Sequence, residues 1–160
     1  MEPDKLNAEV KWRSMISLFL NYVKNIYKIL FQELDEDTNK RIIDSFNSQF
    51  WGEQSQAFID LFDIKPGTAI NAQTIKRIIA VLFDIKYVPI KETENEVIDE
   101  EEYLLCPVRI ALEPILPSVC SLCESWGRFL IHQLDPSFTH KVEIKNNICR
   151  HITIRNKENS

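Results

Sequence analysis

The chain has 160 residues, 44% hydrophobic and 27% charged, which is enough to bury a core and typical of a single globular domain. Its net charge of −5 gives no global attraction to nucleic acid or to an anionic membrane. No apolar run approaches the roughly 18 residues needed to cross a bilayer. The start, Met1-Glu2-Pro3-Asp4-Lys5, is acidic and unlike a secretory signal, so the expected location is cytoplasmic.

The first half reads as helical. From Leu6 to Leu34 apolar residues recur mostly at three- and four-residue steps, with Asp4 as the expected N-cap after Pro3. A second helix uses Ile42, Ile43, Phe46 and Phe50, bends at Trp51-Gly52, and continues through Phe58, Ile59 and Phe62. Lys65-Pro66-Gly67-Thr68 is a turn, and a third helix runs from Ala72 to Phe83 with Asn71 as its cap. Trp12, Trp51, Phe46, Phe50 and Phe58 are expected in the core.

The period then changes. Tyr87-Val88-Pro89-Ile90 reads as an extended segment, and Tyr103 to Val108 as the strand that returns beside it. Between them the acidic stretch Glu92–Glu102, with seven Asp or Glu residues, is expected to form the solvated tip of a hairpin spanning residues 86–106. Ser118 caps a helix that runs to about Leu134, and Asp135-Pro136-Ser137 ends it. The last hairpin, Phe138 to Ile154, turns at Asn146-Asn147. The expected order is ααα-ββ-α-ββ: an α+β domain over residues 1–156, with a frayed tail at 157–160.

All four cysteines lie in the last third, as Cys106, Cys120, Cys123 and Cys149, in the pattern C-x13-C-x2-C-x25-C. In a reducing compartment such a set points to metal ligands or buried thiols rather than disulfides. Thiolates favour a soft ion, zinc before an iron–sulfur cluster, and four of them are what a closed site needs. Cys120 and Cys123 share a face near a helix start, where the helix dipole is expected to lower their pKa. For the last hairpin, a two-residue Asn-Asn loop leaves both faces of mixed polarity. A three-residue loop, Asn146–Ile148, gathers Val142, Ile144, Ile152 and Ile154 on one face and is preferred. It places Glu143 and His151 beside Cys149 as additional candidate ligands. His132 and His140 read as solvent-facing. No Ser/His/Asp arrangement, Gly-rich phosphate loop or paired-carboxylate motif is visible.

Cys120-Ser121-Leu122-Cys123-Glu124-Ser125-Trp126-Gly127, then Val142-Glu143, then Cys149-Arg150-His151-Ile152, resemble the C-terminal part of the 4-vinyl reductase domain family. That family includes a chlorophyll-biosynthesis protein, effector-sensing domains of aromatic-responsive transcription activators, and distant vesicle-tethering subunits. The resemblance implies a structural zinc beside a pocket for a small hydrophobic or aromatic ligand, in a non-enzymatic sensory domain. Many members carry a further cysteine and a Gly-Asp turn ahead of the last cysteine. Here the hairpin is cut short to Lys145–Ile148, and Cys106 or the second thiol of the C-x-x-C supplies the replacement. A stand-alone domain of this kind lacks an output module, so a partner or a homodimer is expected, with Leu18, Tyr22 and Ile29 as candidates for the dimer surface. The competing readings are an iron–sulfur or redox protein and a tethering scaffold with inert cysteines.

Overall fold

Short polar side chains set where the helices begin. The computed structural model describes residues 7–114 and 119–156. Helix α1 (Ala8–Glu33) starts at Asn7, whose side chain accepts from the Val10 N–H. Helix α2 (Glu36–Phe62) is capped by Asp35 in the same way and continues as one helix through Gly52. A single helical glycine costs only about 1 kcal/mol and does not by itself kink a helix. Helix α3 (Ala69–Leu82) starts three residues earlier than expected, because Thr68 rather than Asn71 is its cap. Asp4, Ser118 and the tail at 157–160 lie outside the described residues.

The second half holds the larger correction. Strand β1 (Tyr87–Glu92) pairs with β2 (Glu96–Glu102), so the acidic stretch is itself the returning strand. Residues Tyr103–Leu105 form a 3-10 turn, and Pro107 opens a short helix, α4 (Pro107–Leu112), where a strand was expected. Proline suits that place, since the first helical N–H has no partner to lose. Helix α5 (Val119–Leu134) leads to strands β3 (Phe138–Lys145) and β4 (Ile148–Arg155). The sheet is antiparallel throughout, ordered β1-β2-β4-β3, so the two hairpins join through β2 and β4. The domain is α+β, as expected, with one additional short helix.

The last hairpin turns through two residues. Lys145 pairs with Ile148 across Asn146 and Asn147, whose φ angles are 52° and 61°. Both values are left-handed, as a type I′ turn requires, and asparagine tolerates them better than most residues. The three-residue loop is therefore wrong, and every side chain of β4 lies on the face opposite to the one it predicts.

The consequence is a sheet whose covered face is polar. Asp99, Glu101, His140, Cys149, His151 and Thr153 are all buried there, beneath α3 and α5. Apolar packing comes from the helices and the sheet ends: Ala69, Ala72, Val97, Ile131 and Phe138 form one cluster, and Ile64, Ile75 and Leu130 a second. A third joins Leu20 and Tyr27 of α1 to Val108, Leu112 and Leu122. Trp12 and Phe46 are exposed rather than core, Phe58 is partly buried, and the side chains of Phe50 and Trp51 lie outside the described set. Leu18, Tyr22 and Ile29 of α1 are 70%, 66% and 59% exposed, an apolar helix face that the described residues leave uncovered.

Candidate functional site

The four cysteines come from three separate places and meet at one cavity. Cys106 is the residue ahead of α4, Cys120 and Cys123 lie on the first turns of α5, and Cys149 is on the covered face of β4. Together with Glu101 and His151 they line an enclosed space of about 30 Å³, closed by Ile85, Tyr103, Val108 and Arg109. All four are free thiols. The outer wall is braced: the Tyr103 hydroxyl bonds Glu113 at 3.0 Å, Arg109 donates to the Tyr103 carbonyl at 2.9 Å, and its guanidinium lies 4.6 Å from the Tyr103 ring centre.

Burial decides the state of these thiols. It pushes Cys123 up to about 12, and it raises Cys149, Cys106 and Cys120 as well. The lowering expected for Cys120 and Cys123 at a helix start is overruled, because removing water from a thiolate costs more than the partial charge of the helix end returns. The four stand as protonated thiols.

Two further side chains of the same face meet Cys149. Its Sγ lies 3.4 Å from His151 Nε2, and that nitrogen lies 3.2 Å from Glu101 Oε2. The second oxygen of Glu101 accepts from Lys76 Nζ at 2.5 Å, both side chains being almost fully covered. Burial works against the charge on each partner. For Lys76 the Glu101 carboxylate overcomes it and raises the pKa, and for Glu101 the contacts with His151 and Lys76 overcome it and hold the acid at about 2. Burial lowers both His151 and His140, and His140 falls well below the usual histidine value.

Behind His151 a chain of polar contacts crosses the covered face. His140 Nε2 lies 3.1 Å from His151 Nδ1, and His140 Nδ1 lies 3.1 Å from Thr153 Oγ1. Thr153 bonds Gln73 Oε1 at 2.5 Å, Gln73 donates to Asp99 at 2.7 Å, and Arg77 grips both oxygens of Asp99 at 2.9 and 2.6 Å. Gly127 makes room for this chain. A Cβ there would sit 2.3 Å from His140 Cδ2, so the glycine in the middle of α5 lets the imidazole lie against the helix.

Of the residues picked from sequence, Cys106, Cys120, Cys123, Cys149 and His151 are brought together. Glu143 is not. It pairs with Arg150 on the exposed face, and Glu101 holds the place expected of it. His132 is exposed as expected, whereas His140 is buried. Lys76, Glu101 and His140 were missed, although the alternation Val97-Asp99-Glu101 opposite the adjacent cations Lys76-Arg77 carries the signal for the first two.

Donor chemistry at the cavity suits a soft cation: four sulfurs, an imidazole nitrogen and a carboxylate, in a space the size of one ion or water. Among the described residues no group of three or more His, Cys, Asp or Glu side chains is placed so that it could hold a metal ion as it stands. A second concavity, an open groove of about 400 Å³, runs between α1 and α4, with Ile16, Leu20, Phe83, Leu105, Pro107 and Ile110 in its walls. Among the described residues no helix is long and apolar enough to cross a membrane. No family model, curated protein or solved structure matches the chain.

Proposed function

We propose that this chain is a zinc-stabilised, non-enzymatic domain that binds a small hydrophobic or aromatic ligand, the function implied by its resemblance to the 4-vinyl reductase family. One observation carries the metal half. Every cysteine of the chain reaches the same cavity, from α4, α5 and β4, and that cavity is far too small for an organic substrate. Cys106, Cys120, Cys123, Cys149 and His151 are the residues that would hold zinc. Bound zinc would supply a cross-link between α4, α5 and β4.

Charge supports the same reading. Lys76 and Glu101 already cancel one another, so a divalent cation held by two thiolates and neutral donors would leave the buried site neutral, and each further coordinated thiolate would add one negative charge. The ligand half rests on the open groove, whose volume suits a small aromatic molecule. Its wall includes Pro107 and Ile110 of α4, the helix that begins directly after Cys106. A metal that fixes Cys106 therefore fixes one wall of the groove. The exposed α1 face at Leu18, Tyr22 and Ile29 would pair two copies, and a cytoplasmic location keeps the thiols reduced.

The test is elemental analysis of protein purified without chelators or a metal column, beside the Cys149→Ser variant. One zinc per chain, lost in the variant together with a lower melting temperature, is the expected result. A brown protein containing iron would favour the iron–sulfur reading. Protein free of metal, with four thiols that react fully only on unfolding, would favour an inert scaffold.

A further inference from the structure

Helix α1 carries two apolar stripes, and its own core takes up one of them. Leu20 and Tyr27 are buried, with Ile16, Val23 and Leu30 packed against the same cluster. The second stripe lies beside the first. It consists of Trp12, Met15, Phe19, Tyr22, Ile26 and Ile29, spaced by 3, 4, 3, 4 and 3 residues. All six are exposed, between 39% and 66%. This alternation is the a/d seam of a coiled coil, and such a seam is filled by the knobs of a facing helix. The described residues leave it open.

Its size suits a stable complex. With Leu18 at the edge, the stripe offers roughly 750 Å² of exposed side chain, taking about 200 Å² for a large side chain in full contact with water. A standard interface buries about 800 Å² on each partner, whereas the largest apolar patch of a monomer is usually about 300–600 Å². The distribution of bulk along the seam then selects a second copy in one orientation. The large side chains Trp12, Phe19 and Tyr22 precede the smaller Ile26 and Ile29. A parallel pair sets each residue against itself, so the Trp12 layer is far thicker than the Ile29 layer, and helices packed 8–10 Å apart fit one or the other. An antiparallel pair sets Trp12 against Ile29, Met15 against Ile26 and Phe19 against Tyr22, which evens the layers. The symmetry point of that register, between Phe19 and Tyr22, is also the midpoint of Ala8–Glu33, so the full helix is used. Lys11, which would meet its own copy in a parallel pair, comes beside Gln32 instead, and the two helix dipoles oppose.

We propose that two copies of this chain pair through α1 as an antiparallel coiled coil, with the two-fold axis between Phe19 and Tyr22. This rests on the pairing of two copies stated above and adds to it the seam, the register and the orientation. Arg13, Ser17 and Asn21, the polar residues that α1 contributes to the open groove, lie on the far side of the helix from the seam, so pairing leaves both grooves accessible.

The experiment combines light scattering with cross-linking. The wild type is expected to show twice the chain mass of 18.8 kDa. Tyr22→Glu puts a charge at the centre of the seam and is expected to show a single chain mass with the same helical circular dichroism. Leu61→Glu, on an exposed residue of α2, is expected to remain paired. Trp12→Cys and Ile29→Cys are then made separately and oxidised mildly, alone and after mixing, beside the wild type. Alone, neither is expected to cross-link beyond the wild type, since identical positions of an antiparallel pair lie about 25 Å apart along the axis. The mixture is expected to give a covalent dimer joined between positions 12 and 29. Self-cross-linking of Ile29→Cys, without the mixed product, would overturn the antiparallel register and leave the pairing of copies intact. A paired Tyr22→Glu would overturn the seam. A monomeric wild type would overturn both this inference and the pairing on which it rests.

Discussion

Lys76→Met isolates what the buried ion pair contributes. In the wild type, Lys76 Nζ and Glu101 Oε1 are 2.5 Å apart with side chains 7% and 4% exposed, so neither has water to fall back on. Removing the ammonium leaves a buried carboxylate whose remaining polar contact is His151, 3.2 Å away. Breaking such a pair costs about 3–5 kcal/mol, which for a domain of this size lowers the melting temperature by roughly 6–20 °C. Replacing both partners is far cheaper, so Lys76→Met/Glu101→Gln is expected to recover most of the loss. The assay is urea unfolding of the metal-free proteins as a double-mutant cycle. The pH dependence carries a sign. In the wild type Glu101 is held at about 2, below its unfolded value, so its stabilisation is present at neutral pH and is lost as pH falls from about 4.5 through 2. In Lys76→Met the contribution of the ammonium is gone and burial is opposed by the His151 contact, so that pKa rises from its wild-type value and the penalty is expected to shrink as the solution is acidified. A cost below about 1 kcal/mol, or a double variant no better than the single, would refute the account of the site's electrostatics.

Two further substitutions test the geometry. Gly127→Ala normally gains about 1 kcal/mol in a helix interior, but here the methyl meets the His140 ring, and a net loss of about 1–2 kcal/mol is expected in thermal unfolding; a stabilised variant would place the ring elsewhere. Asn147→Val puts a β-branched residue at φ 61° and is expected to cost about 1–2 kcal/mol, whereas Asn147→Gly is expected to be neutral or slightly stabilising. Equal stability of the two would argue for the three-residue loop.

Local chemistry made much of the fold legible in the sequence. Helical spacing, proline positions and paired asparagines locate α1 to α3, α5 and the last turn to within a few residues. The failures share one cause. Choosing the hairpin loop by gathering Val142, Ile144, Ile152 and Ile154, and reading Glu92–Glu102 as a solvated tip, both assume that the covered face of a sheet is apolar. Here Asp99, Glu101, His140 and His151 are covered because Lys76, Arg77, Gln73 and Thr153 satisfy them. For the two carboxylates that compensation comes from a helix more than twenty residues away, which no periodicity within the strand reveals. Glu143 was chosen over Glu101 for the same reason. The cysteines themselves were readable, since a thiol needs no register to be a candidate ligand.

The proposed site, in which four donors drawn from the thiols and His151 would hold one cation, is tested most directly by cobalt substitution. One equivalent of cobalt(II) added to the reduced, metal-free chain is expected to give the intense visible bands of a tetrahedral ion together with sulfur-to-metal charge transfer. Signal should saturate at one equivalent and be abolished by zinc. A weak octahedral spectrum without charge transfer, or no saturable binding, would contradict the account.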